Sequence, residues 1–304
     1  MQLFNRFAFS LYFAIDLKTR MPVYLNLRQL RSIIILTQTD GKSLAPFKNY
    51  IVDRDEIIGT YEHLHEFYSM YLRNERDVIV WFPPSYANSH KHYPVLYMHD
   101  GQNLFNPHTS FIGYDWKMDE TSTILMEDNI VDEFIIVAIY NTKDRLEEYN
   151  YFTRKGRNYA FFIIRELKRY IDEQFRTLTD PQNTALMGSS MGGLISFQMY
   201  WNFPEIFGKA ACLSNSFWVD DGSVFNMVKE NPYVNKNGKL YIDCGSEEKE
   251  LIGDFNEMCK LLKEIGYEEN KNLKCQVIDG AKHSEIDWAA RSHIPLKFLF
   301  GKRN

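Results

Sequence analysis

The pentapeptide Gly188-Ser189-Ser190-Met191-Gly192 constrains this chain more than any other stretch. It joins a short apolar run, Thr184 to Met187, to a segment in which Leu194, Phe197 and Trp201 recur at helical spacing, so the hydrophobic period changes at Ser190. The pattern is G-x-S-x-G, in which small residues two before and two after the serine let a strand and a helix approach closely around a strained turn. Ser190, not Ser189, is the central serine. On such a turn its Oγ stands clear of the sheet, and the free N–H groups of the following helix face any oxyanion formed beside it. A glycine-rich turn with an incidental serine would look the same locally. What separates the two is whether the chain also supplies a base and an acid in the right places.

The segments around this turn read as alternating strands and helices. Two leading runs, Gly59 to Tyr71 and Asp77 to Phe82, suit paired strands, the second stopped by Pro83-Pro84. Tyr93 to Phe105 is an apolar strand running into a polar, glycine-containing loop, and Phe134 to Tyr140 is a continuous apolar run of the kind covered on both faces. Tyr159 to Phe175 carries Phe162, Ile163, Leu167, Tyr170 and Ile171 on one side and reads as an amphipathic helix. After the serine helix come strand-like runs at 209–214, 239–245 and 273–278, with a helix over Leu251 to Lys263. This alternation predicts an α/β fold with a mainly parallel central sheet. The domain is expected to span 49–304. Residues 1–48 form an extension with strand-like runs at Phe7 to Ile15 and Ser32 to Leu36 and a linker-like Gly41 to Pro46, to which no function is assigned.

An activated serine needs a general base within hydrogen-bond reach and a third group to orient that base. Of the eight histidines, His283 is the best candidate, because it follows the last strand in the turn Asp279-Gly-Ala-Lys-His283, where a loop at the carboxyl edge of the sheet belongs. A surface histidine in a turn is the plainer reading of that residue taken alone. His99 ends a strand facing the site and ranks second, since its early position runs against the serine, acid, histidine order of α/β-hydrolases. His63, His65, His90, His92 and His293 read as exposed or structural. For the acid, Asp243, Glu247 and Glu248 all lie between the serine and the histidine, with the two glutamates just past the strand end. A solvated helix start competes for each of them.

Composition narrows the function classes. The chain has 304 residues, 45% of them hydrophobic, enough for a large core. A net charge of −5 with both signs interspersed offers no basic stripe for nucleic acid. Four cysteines without C-x-x-C spacing, Cys212, Cys244, Cys259 and Cys275, read as buried free thiols. No apolar run reaches the roughly 18 residues of a membrane span, and Asp16 directly after the Phe7 to Ile15 run argues against a signal peptide, so a cytoplasmic protein is expected. Neither H-E-x-x-H nor a clustered His/Cys/Asp set is visible, nor a phosphate-binding glycine loop, so no metal and no cofactor is called for.

Six motifs then carry a resemblance: Pro94 to Phe105 (PVLYMHDGQNLF), Tyr114-Asp-Trp116 with Asp119-Glu120, Arg145 to Tyr149, Gly188 to Gly193, Asp243 to Glu248 and His283 to Trp288. From about residue 57 onward the chain resembles the putative esterase family of α/β-hydrolases, which includes esterase D-like enzymes, enterochelin esterases, feruloyl and acetylxylan esterases and the mycolyltransferases. The resemblance implies the α/β-hydrolase fold, helices on both faces of the sheet, Ser190 as nucleophile and His283 as base. It also implies an acid at the end of a D-x-G-x-x-E pattern, which falls on Glu248, and an oxyanion hole of the Gln102 and Met191 backbone amides. Many relatives carry aspartate at the acid position, which keeps Glu247 as an alternative. The expected function is a serine carboxylic-ester hydrolase acting on a small-molecule ester. An acyltransferase using the same acyl-enzyme, and a non-catalytic carbohydrate- or partner-binding module, are the alternatives. The aromatic run Tyr149 to Phe152 and Trp218 are candidates to line an acyl or sugar pocket, and equally candidates for core.

Overall fold

Strand β6 (Val95–His99), β7 (Ile135–Ile139) and β8 (Thr184–Ser189) are buried at every position, so both faces of the sheet's centre are covered, as their unbroken apolar sequences require. A computed structural model describes residues 12–16, 22–25, 50–53, 57–232 and 235–302. The chain divides into two compact units, residues 1–57 and 58–304. In the first, β1 (Tyr12–Asp16) pairs antiparallel with both β2 (Pro22–Leu25) and β3 (Tyr50–Asp53). The runs at Ser32 to Leu36 and Gly41 to Pro46 lie outside the described residues.

The second unit holds one eight-stranded sheet. With β4 (Thr60–Ser69), β5 (Asn74–Phe82), β9 (Lys209–Leu213), β10 (Lys239–Gly245) and β11 (Leu273–Ile278), its order is β11-β10-β9-β8-β6-β7-β5-β4. All neighbours from β11 to β7 pair in parallel, and β5 and β4 add on antiparallel. This is the mainly parallel α/β sheet that the alternation of periods predicts. Between β8 and β6 the direction of winding reverses, because β7 lies on the far side of β6. Such a switch point opens a crevice at the carboxyl ends of the strands.

The helix Met191–Asn202 after β8 buries every residue from Met191 to Trp201. It has no polar face to show because it lies inside the molecule, packed on β8 and β9. Arg154–Phe161 continues through a π-helical turn, Phe162–Leu167, into Lys168–Gln174, in place of the single regular helix expected over Tyr159 to Phe175. Its start is capped by Thr153 Oγ1, which accepts from the Gly156 amide at 2.8 Å. Lys249–Glu264 follows β10, and Glu285–Arg291 and His293–Phe300 follow β11.

One expectation about the cysteines is overturned. Cys212 and Cys244 are buried free thiols, but Cys259 and Cys275 form a disulfide that ties the helix Lys249–Glu264 to β11. The fifteen residues between them fold back as a helix end, a turn and a strand start, and only that return brings the two sulfurs together. Among the described residues no helix is long and apolar enough to cross a membrane.

Candidate active site

Ser190 sits at φ 55°, ψ −122°, a left-handed conformation that a side chain rarely adopts. The turn survives because its glycines leave no room for anything else: a Cβ on Gly188 would lie 2.6 Å from the Gly192 carbonyl carbon, and one on Gly193 would lie 2.4 Å from Asn215 Oδ1. The Ser190 amide donates to the Leu213 carbonyl of β9 at 2.9 Å, which pins the turn to the neighbouring strand. The next amide, Met191 N–H, opens the helix and has no carbonyl of its own helix to reach. Ser190 Oγ lies 3.2 Å from Ser216 Oγ and so points towards that hydroxyl, not into a hydrogen bond with His283.

His283 and Glu248 arrive on two loops that clasp one another. The Ser246 amide donates to the Ile278 carbonyl at 2.9 Å, Glu247 N–H to the Ala281 carbonyl at 3.1 Å, and Gly280 N–H to Ser246 Oγ at 2.8 Å. Ser284 then caps the helix Glu285–Arg291 by accepting from the Asp287 amide at 3.3 Å, which fixes the residue after His283. Within this clasp His283 Nδ1 lies 2.6 Å from Glu248 Oε1.

Of the three candidate carboxylates, Glu248 is therefore the one that reaches the histidine. Its side chain is 2% exposed, whereas Glu247 is exposed to solvent. Asp243 is buried in other company, taking Arg291 Nε at 3.0 Å and Nη2 at 3.1 Å and the Tyr241 hydroxyl at 2.9 Å. Burial works against the Glu248 charge, but the His283 ring, the Gly245 amide, the Ser214 hydroxyl and the Arg291 charge outweigh it and hold its pKa below the usual value. Gly245 is needed here for close approach: a Cβ would stand 2.2 Å from the Ala281 carbonyl oxygen and 2.9 Å from Glu248 Oε2.

The loop after β6 is held from the other side of the switch point. Asp100, at φ 57°, receives Arg145 in a two-pronged pair, Nε to Oδ1 at 2.7 Å and Nη2 to Oδ2 at 2.8 Å, together with Asn141 Nδ2 at 2.6 Å. Its carbonyl accepts from the Asn103 amide at 2.9 Å, closing the tight turn Gly101–Asn103 in which the Gln102 N–H precedes the first internal hydrogen bond. The Gln102 side chain is also tethered, Oε1 accepting from the Asn141 amide at 3.2 Å.

These loops surround one cavity of about 350 Å³, to which Gln102, Ser190, His283, Asp100, Arg145 and Glu285 contribute. Ser190, His283 and Gln102 thus meet at one opening, with Glu248 behind the histidine. Phe111 and Trp288 supply its apolar wall. Neither Tyr149, buried with its hydroxyl accepting from the Asp100 amide, nor the exposed Trp218 does so. His99 stays out as well. It is buried with Nδ1 against the Tyr159 hydroxyl at 2.9 Å, and burial pushes its pKa down to about 3.

Two features have no counterpart in the sequence reading. Ser214, at φ 45°, donates to Glu248 Oε2 at 2.8 Å and accepts from Arg291 Nη2 at 2.7 Å and Trp288 Nε1 at 3.0 Å. Only its place at the end of β9, one strand from Ser190, could have signalled it. Likewise no cluster of metal-ligating side chains is visible in the linear spacing, yet the fold assembles His63, His65 and Asp77.

A strained serine turn at the end of a central strand, in an eight-stranded mainly parallel sheet with the winding reversal beside it, defines an α/β-hydrolase fold of the esterase type. Residues 69–291 match the family described as Putative esterase, and the chain belongs to that esterase family. The uncharacterized protein YbbA of Bacillus subtilis (strain 168) is 23% identical over 246 residues, covering 77% of this chain and 96% of its own length. The endo-1,4-beta-xylanase/feruloyl esterase of Xylanibacter ruminicola is 25% identical over 69% of this chain but only 27% of its own. Among solved structures, the enterobactin esterase FES from Shigella flexneri matches with TM-score 0.68 at 16% identity, over 80% of this chain and 59% of that one. This chain therefore spans less than two thirds of FES. A ferulic acid esterase matches with TM-score 0.66 at 23% identity, over 79% and 98% of the two chains.

Proposed function

We propose that this esterase is a serine carboxylic-ester hydrolase working through an acyl-enzyme on Ser190. The observation that carries the proposal is that Ser190, on its strained turn, and His283, paired with buried Glu248, open on the same cavity. Glu248 takes the Nδ1 proton of His283 as a hydrogen bond, which leaves Nε2 as the basic nitrogen. A rotation of the Ser190 side chain away from Ser216 then brings Oγ to Nε2, the kind of tightening that substrate binding produces.

Ser190 Oγ attacks the ester carbonyl carbon as its proton passes to His283, and the carbonyl oxygen becomes an oxyanion facing the Met191 and Gln102 amides. Collapse expels the alcohol, which leaves with the proton from His283. Water repeats the sequence on the acyl-serine, releasing the acid and restoring Ser190. Every group needed for this cycle comes from the chain itself.

All of this chemistry belongs to the unit of residues 58–304, with no part assigned to residues 1–57. The Phe111 and Trp288 wall beside the polar Gln102, Asn103, Asn141 and Arg145 suits an ester whose acyl part is flat and partly polar, the chemistry shared by ferulate and catechol esters. The test is a panel of short-chain nitrophenyl, feruloyl, acetyl-sugar and catechol-siderophore esters, run with wild type and Ser190→Ala. Turnover of at least one ester should fall by more than about 10³-fold in the variant. Equal turnover by the two proteins would remove Ser190 from the reaction.

A further inference from the structure

His63 and His65 stand two apart on β4, so their side chains leave the same face of the sheet, and Asp77 comes to that face from β5. The pairing of the two strands slips between Leu64 and Phe67, where Glu66 takes φ 51°. Such a bulge turns a side chain out of its regular direction. Here it leaves His63 Nε2 2.8 Å and His65 Nδ1 3.5 Å from one oxygen, Asp77 Oδ2, while the other, Oδ1, accepts from the Glu66 amide at 3.0 Å. One ligand atom from each of the three residues lies within 4.8 Å of the other two, and the imidazole centroids are 3.7 Å apart.

We propose that His63, His65 and Asp77 bind a divalent transition-metal ion, zinc foremost, outside the esterase cavity. A tetrahedral zinc with bonds of about 2.0–2.1 Å holds its ligand atoms roughly 3.3 Å from one another. The two nitrogen-to-oxygen distances bracket that value, so a rotation of the exposed His65 ring and an opening of about half an ångström at His63 admit the ion. Two imidazoles and one carboxylate favour zinc, copper, nickel or cobalt over the oxygen-seeking magnesium and calcium. The Glu66 amide supplies the outer hydrogen bond that orients a ligating carboxylate. Two ligands on the edge strand β4 and one on its neighbour β5 leave the fourth position to water, the arrangement of an open site. None of the three residues lines the cavity that holds Ser190, so the ion is not part of the ester chemistry.

The test is a calorimetric titration of tag-free, metal-stripped protein with Zn²⁺ alone near neutral pH, supported by the visible spectrum of the Co²⁺ form. Wild type should take up one ion per chain, and Co²⁺ should give the intense bands of a four-coordinate site. His65→Ala, at a position 70% exposed and so safe for folding, should weaken zinc binding more than about 10-fold, as should His63→Ala and Asp77→Asn. Melting curves recorded without metal check that each variant is folded. Ser190→Ala should bind zinc as wild type does. Absence of uptake by wild type, or an affinity unchanged in folded His65→Ala, overturns the site and leaves the three residues as a hydrogen-bonded surface cluster.

Discussion

Ser214 donates a 2.8 Å hydrogen bond to Oε2 of Glu248, the carboxylate whose other oxygen faces His283. The same hydroxyl oxygen accepts from the buried Arg291 and Trp288, so the orientation of Glu248 is passed through Ser214 to a network that includes Asp243. Ser214→Ala removes an acceptor from two buried donors. It should cost about 1–3 kcal/mol of stability by denaturant unfolding. Turnover should fall about 10-fold with little change in KM, since Glu248 loses its alignment and the cavity wall keeps its shape. Unaltered kcat would mean that Gly245 and His283 orient Glu248 unaided.

Glu248→Gln should lose up to about 10⁴-fold in turnover while remaining folded, because a neutral amide no longer selects the tautomer with a basic Nε2. Glu247→Gln, at an exposed position, should behave as wild type. Asp243→Asn should instead act through stability, since it removes the nearer of the two carboxylates facing fully buried Arg291, a loss of about 3–5 kcal/mol. Parallel kinetics and melting of the three variants distinguish these outcomes.

Acid stability follows from the same carboxylate. The folded pKa of Glu248 lies below its unfolded value near about 4.3, so its contribution is complete above that value and disappears as pH falls through the folded one. Unfolding free energy measured against pH should therefore decline on the acid side. Glu248→Gln should flatten that decline, and an equally steep curve in the variant would assign it to other groups.

The Ser190 turn was legible in the sequence because everything that makes it is local: a strand, two glycines and a helix within a few residues. His283 and the glutamate pair were legible as loop positions at strand ends. The D-x-G-x-x-E pattern of the resemblance pointed to Glu248, but the contact that separates it from Glu247 and Asp243 is not local, because it depends on the clasp between the β10 and β11 loops. Ser214 and Arg291 were invisible for the same reason, lying 77 residues apart in sequence. The His63, His65 and Asp77 cluster needs a bulge that alternation of apolar and polar residues does not announce. The Cys259–Cys275 pair needs a chain reversal between the two residues.

In the proposed mechanism Gln102 bears on the oxyanion through its backbone, whereas its side chain is tied to the Asn141 amide. Gln102→Ala should reduce turnover only modestly. Gln102→Pro, which removes the amide hydrogen, should cost roughly 10²–10³-fold, provided circular dichroism shows it folded. A folded and active proline variant would put the second donor on another residue of that loop.

Reduction of the Cys259–Cys275 disulfide opens a loop of about sixteen residues, worth about 3 kcal/mol on loop-entropy grounds. Melting with and without reductant, or of Cys259→Ser, should show a loss of that size, and intact mass should show one oxidised pair. A disulfide persists where thiols are not kept reduced, so the same mass measurement on protein from its native compartment tests the cytoplasmic expectation.

The most direct test of the central claim is covalent labelling by a fluorophosphonate, which reacts with a serine only when that hydroxyl is activated. Incubation should abolish ester turnover with one label per chain, and peptide mapping should place it on Ser190, with no label on Ser190→Ala. Labelling of Ser189 or Ser216, or full activity after stoichiometric labelling elsewhere, would contradict the account.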